Sequence, residues 1–124
     1  MVLIRKYRVP AYRTRLWVVV SPSLMASIDK VEDLLDHKII KDKDRKSTRA
    51  YTYCFEDHKG RYQMLCFYNP HSKPGEIAHE AKHTLNIIYQ WHGVKLSLTN
   101  DEPECYLLEW MVDRIHQTIK DFKK

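Results

Sequence analysis

The residues best placed to do chemistry are His79-Glu80-Ala81-Lys82-His83, a His-Glu-x-x-His run. On a helix, four residues advance about 400°, so both imidazoles lie on one face, one turn apart. Such a pair binds one tetrahedral zinc ion through its ring nitrogens. Glu80 lies about 100° round the helix, so it flanks the metal and can take a proton from an activated water. A chain with seven histidines meets this pattern by chance in about one case in fifty, so the surroundings must carry part of the argument. Ile77, Ala81, Leu85, Ile88 and Trp91 recur as an apolar face, leaving His79, His83, Asn86 and Gln90 on the other side. Two solvent-facing histidines on an ordinary amphipathic helix would give the same pattern.

A catalytic zinc takes three protein ligands and keeps one position open for water. Two carboxylates downstream compete for the third place, Glu102 and Glu104. Leu108, Met111, Ile115, Ile119 and Phe122 make the apolar stripe of the last helix. Glu104 falls on that stripe, and Glu102 lies about 160° away. A carboxylate heading an apolar stripe needs a partner once the helix packs, which favours Glu104, with Glu102 as its rival.

The elements that must position these groups are readable in outline. Val2 to Val9 is a short basic strand, and Arg13 to Val20 a strand ending in a buried apolar run. Ser21-Pro22 opens a helix that runs to about Asp36, with Pro in its first turn. Residues 38–48 form a charged loop. Residues 50–56 alternate as a half-buried strand, Asp57-His58-Lys59-Gly60 turns, and residues 62–68 form an interior strand. One helix runs from about Glu76 to Trp91. A second runs from near Thr99 to about Lys120, with Thr99-Asn100-Asp101-Glu102 in the form of a capping box. The order β, β, α, β, β, α, α is mixed α+β: a small sheet, a backing helix and two C-terminal site helices. The alternating strand 50–56 suits a sheet edge, where an extended peptide can pair with it.

From Gly75 to Asp113 the chain resembles the core of the zincin metallopeptidases. More closely, it resembles the small ImmA/IrrE-like and phage-encoded peptidases. The likeness rests on Ile77-Ala78-His79-Glu80-Ala81-Lys82-His83 and on Glu104-Cys105-Tyr106-Leu107-Leu108. It implies one zincin-like metallopeptidase domain over residues 1–124, with Zn2+ held by His79, His83 and Glu104. It also implies Glu80 as general base and strand 50–56 as the edge that binds a peptide or protein substrate. Lys82 is a cation inside the motif, and Leu108 stands where some relatives carry an acid. His71 and Tyr89 are further candidates for stabilising an oxyanion.

Length and composition fit one domain with a single core: 124 residues, 44% hydrophobic and 30% charged. No apolar run approaches a membrane span or a signal-peptide core, so no membrane partner is expected. Cys54, Cys66 and Cys105 are widely spaced and odd in number, as expected of thiols in a reducing cytoplasm. Cys105 reads as a packing residue, the three tryptophans as mostly core, and His37, His58, His92 and His116 as background. The net charge of +5 gathers in residues 1–15 and 38–49. That leaves an alternative of another class: a non-catalytic basic module on the same scaffold, binding nucleic acid or associated with a phage particle.

Overall fold

A computed structural model of the chain describes residues 1–39 and 50–124. Most of the charged loop expected at 38–48 therefore lies outside the described residues. Four strands form one mixed sheet: β1 (Leu3–Arg8), β2 (Thr14–Val20), β3 (Ala50–Glu56) and β4 (Tyr62–Tyr68). Their order is β1-β2-β4-β3. β1 and β3 run antiparallel to their neighbours, while β2 and β4 pair in parallel from Thr14↔Tyr62 to Val20↔Tyr68. Three helices complete the described fold: α1 (Leu24–Leu35), α2 (Pro74–Trp91) and α3 (Glu102–Phe122). The α+β class and the element order are those expected from the sequence. No described helix is long and apolar enough to cross a membrane.

The two central strands carry near-continuous apolar sequence because both of their faces are covered. Trp17, Val19, Leu65 and Phe67 meet Ile28 and Val31 of α1 on one face. Leu16, Val18, Met64 and Cys66 meet Ile77, Leu85 and Ile88 of α2 and Met111 and Ile115 of α3 on the other. α1 is thus the backing helix, and α2 and α3 share the opposite layer. β3 lies at the sheet edge, as its alternation predicts, with Tyr51, Tyr53 and Phe55 turned toward the α1 layer.

The helix ends depart from the sequence expectations in instructive ways. α1 starts two residues later, because Ser23 is its N-cap and accepts a hydrogen bond from the Ala26 N–H at 3.2 Å. Pro22 therefore stands before the helix. α2 starts two residues earlier, at Pro74, whose missing N–H costs nothing in the first turn. It ends at Trp91, and Gly93 just beyond the His92 cap holds a φ of 67° that lets the Val94 N–H reach the Tyr89 carbonyl at 2.9 Å. α3 has no capping box from Thr99. Its N-cap is Asp101, and the Thr99 hydroxyl pairs instead with that of Ser97 at 3.3 Å. The buried stripe of α3 runs through Leu107 and not Leu108.

The β3–β4 turn is held by one carboxylate. Asp57 accepts hydrogen bonds from the N–H groups of Lys59 and Arg61, from the Arg61 guanidinium and from the Gln63 amide, all at 2.9–3.0 Å. Gln63 in turn accepts from the buried Trp17 indole at 2.8 Å. Burial pushes the Asp57 pKa up, but these donors outweigh it and hold the carboxyl well below the usual carboxylate range. A folded-state pKa below the unfolded value adds stability that is complete above the unfolded pKa, near about 4, and fades as pH falls through the folded one. Asp57→Asn should therefore cost about 1–2 kcal/mol at neutral pH. The gap from wild type should narrow below about pH 4, as urea midpoints at the two pH values would show.

Candidate metal centre

α2 lays Ile77, Ala81, Leu85 and Ile88 on the sheet, and each is essentially buried. That face fixes the rest of the helix surface. Taking His79 as the reference direction, His83 stands about 40° from it, Glu80 about 100° on one side and Lys82 about 60° on the other. Glu80 accordingly turns toward β3 and Lys82 toward α3.

The two imidazoles converge. His79 Nε2 and His83 Nε2 are 3.2 Å apart, and the rings meet edge to face at 80°. Two nitrogens bound to one tetrahedral zinc at 2.0–2.1 Å stand about 3.3 Å apart. The observed separation matches that spacing, and here a hydrogen bond between the two ring nitrogens spans it. Both histidines are exposed, so the position between them is open to solvent.

Glu80 is half-buried, and its Oε2 accepts a hydrogen bond from the Thr52 hydroxyl of β3 at 3.1 Å. Behind it lies an uncharged wall. Thr84 donates to the Glu80 carbonyl at 3.0 Å and lies 3.6 Å from Cys66 Sγ. Burial pushes the Cys66 thiol up to about 12; hydrogen bonds from Thr84 and Thr52 pull it down, and the nearby Glu80 charge adds to the rise. The Tyr68 hydroxyl is buried without a hydrogen-bond partner, and burial, then Cys66 and Glu80, raise its pKa well above the ordinary value. Sequence reasoning missed Thr52 and Tyr68. The strand alternation does hold the signal for Thr52, since it puts residue 52 on the inward face of the edge strand.

The third expected ligand is differently engaged. Glu104 sits in the first turn of α3 with its side chain 20% exposed, while Glu102 is exposed, so the stripe ranks the two as the sequence suggests. The Glu104 carboxylate is ion-paired with the Lys82 ammonium and not grouped with the histidines. Among the described residues, no cluster of three or more His, Cys, Asp or Glu side chains is gathered tightly enough to hold a metal. Two of the three expected ligands are therefore together, and the cation within the motif holds the third.

The remaining candidates lie elsewhere. Tyr89 is buried against Tyr12, six residues beyond His83 and about 9 Å further along the helix. His71 is exposed in the loop before α2. His37 stacks on Phe55 at 3.8 Å, and His92 pairs with Thr14 at 3.1 Å. Cys105 is exposed, against its expected packing role, because it points away from the buried stripe of α3; all three thiols are free. Comparison of the chain with protein-family models, with curated proteins and with solved structures yields no match.

The converging imidazoles make a direct prediction. Cobalt(II) added to metal-free protein should give the visible absorption of a four-coordinate site, and His83→Ala should abolish it. Absorption that persists in that variant would place the metal elsewhere.

Proposed function

We propose that the protein is a zinc-dependent metallopeptidase of the zincin kind, akin to the ImmA/IrrE-like peptidases. The observation that carries this reading is the 3.2 Å approach of His79 Nε2 to His83 Nε2, with the Glu80 carboxylate on the β3 side of the pair. His79 and His83 hold the metal. Glu104, once released by Lys82, completes the donor set, and two imidazoles with a carboxylate suit zinc. The metal, when bound, supplies Lewis-acid polarisation of a carbonyl and makes water acidic near neutral pH.

The chain's own groups do the rest. The Thr52 hydroxyl fixes Glu80 Oε2, which leaves Oε1 to accept a proton from the attacking water and pass it to the leaving amine. Among the described residues, no strand pairs with the outer edge of β3, so its backbone groups are available to an extended peptide. Edge pairing would set the scissile bond beside Glu80, because Thr52 on that strand touches the carboxylate. Three free thiols agree with a reducing compartment such as the cytoplasm.

Protein purified without added metal should contain about one zinc per chain on this reading. Glu80→Gln should keep that zinc and lose about 10²–10⁴-fold in peptide hydrolysis. Undiminished hydrolysis in Glu80→Gln, or protein that takes up no zinc under any condition, would refute the proposal.

Lys82 generates a second expectation. Its ammonium competes for Glu104 and stands beside the metal position, so it opposes binding twice. Lys82→Met should tighten zinc binding by about fivefold to tenfold, in line with the roughly 1 kcal/mol of a partly exposed ion pair. Competition against a chelating dye measures this without recourse to activity.

A further inference from the structure

At the end of the sheet where β2 and β4 begin, the β1–β2 connection borders an open cavity of about 680 Å³. Four arginines line it, Arg8, Arg13, Arg15 and Arg61, and no acidic residue does. Their arrangement is not that of a neutral, solvated rim. Arg8 and Arg15 are direct cross-strand partners in the β1–β2 register, so two like charges face each other. Like charges in that position destabilise the pair of strands. Among the described residues, no carboxylate forms an ion pair with Arg8, Arg13 or Arg15.

The other two arginines are braced. Arg61 gives its Nε to Asp57 Oδ2 at 3.0 Å, which fixes its guanidinium plane while its terminal nitrogens stay uncommitted by that bond. Arg13 reaches the Lys59 carbonyl at 3.5 Å, linking the β1–β2 connection to the β3–β4 turn. Between them the connection turns through Pro10 and Ala11. Ala11 holds a φ of 67°, and the Tyr12 N–H returns to the Val9 carbonyl at 3.4 Å. A non-glycine residue in the left-handed region marks a shape imposed by its surroundings. Tyr12 offers the cavity one aromatic wall and packs behind it on His92 and Tyr89.

We infer that this cavity binds phosphate groups of an anionic ligand, with the facing Arg8 and Arg15 and the braced Arg61 as the guanidinium clamp. Guanidinium groups match phosphate oxygens in bidentate fashion, and their charge does not titrate away. The volume falls within the range of small-molecule sites. Three arginines without a carboxylate partner, with Arg61 beside them, call for a multiply charged ligand, which a single carboxylate is not. The phosphates belong either to a compact polyphosphate or to the backbone of a single-stranded nucleic acid, which share this chemistry. The inference does not rest on the metallopeptidase reading, since none of the lining residues belongs to the metal centre.

The test uses the full chain and three probes: inorganic tripolyphosphate by calorimetry, and a labelled single-stranded oligonucleotide and a labelled poly-glutamate by anisotropy. At low salt one or both phosphate probes should bind, and poly-glutamate should bind clearly more weakly. The double variant Arg8→Gln/Arg15→Gln should lose roughly tenfold in affinity for a bound probe. For the oligonucleotide, the slope of log affinity against log salt should fall by about 1.4, the loss of two phosphate contacts on a single strand. Lys95→Gln/Lys120→Gln removes the same charge from other exposed positions and should leave the slope unchanged. Binding of tripolyphosphate alone identifies a compact ligand, and binding of the strand with displacement by tripolyphosphate identifies nucleic acid in the same cavity. Removing the facing charges should also leave the melting temperature no lower than that of the wild type. The inference is overturned if neither phosphate probe binds, if the control pair weakens binding as much, or if poly-glutamate binds as tightly. A lower melting temperature in Arg8→Gln/Arg15→Gln would equally overturn it, by showing that those arginines are already satisfied.

Discussion

The parallel pairing of β2 with β4 governs the layout of the whole molecule. Two adjacent strands with apolar side chains on both faces need a cover on each side, and the chain supplies α1 for one and the α2–α3 pair for the other. Once Ile77, Ala81, Leu85 and Ile88 are committed to that contact, the helical period leaves no freedom in where the remaining side chains of α2 stand. His79 and His83 go outward, Glu80 toward the edge strand and Lys82 toward α3. The candidate metal centre is in this sense a by-product of hydrophobic burial: the same contact that stabilises the domain aims the histidine and glutamate side chains.

Helical and strand periodicity made much of the molecule legible because both are local. The motif helix, the edge position of residues 50–56, the interior position of residues 62–68 and the greater burial of Glu104 than of Glu102 all come from spacing along one element. Helix ends were less legible. Ser23 and Asp101, not their neighbours, became the caps of α1 and α3, because a cap depends on the chain's path before the helix and not on composition alone. Relations between distant elements were not legible at all. Lys82 is visible as a cation within the motif, but its capture of Glu104 depends on how α2 and α3 pack. Arg8, Arg15 and Arg61 come from two separate turns that only the sheet brings together.

Charge is distributed so that the two ends of the sheet differ in kind. Near the start of α2, anionic and cationic groups are interleaved: Glu80 beside Thr52, Glu104 against Lys82, two imidazoles in the open. At the far end the arginines gather, and a nearby acid, Asp57, is spent on four donors. Among the described residues, the modest overall charge of +5 therefore conceals distinct chemical surroundings at the two ends of the sheet. A cation approaching the histidines and an anion approaching the arginines meet separate fields, and neither need displace the other.

The open edge of β3 has a consequence for the protein among copies of itself. Natural edge strands are commonly shielded from one another by a lysine, a proline or a bulge. Between Ala50 and Phe55 this strand has none of the first two, and its pairing with β4 runs unbroken from Ala50↔Tyr68 to Glu56↔Tyr62. Its first charge is Glu56, at the very end. Any backbone that can lie alongside it as a substrate presents the same hydrogen-bonding pattern as the edge of a neighbouring molecule. Among the described residues no strand covers this edge, so crowding is the condition under which such pairing between copies would be expected.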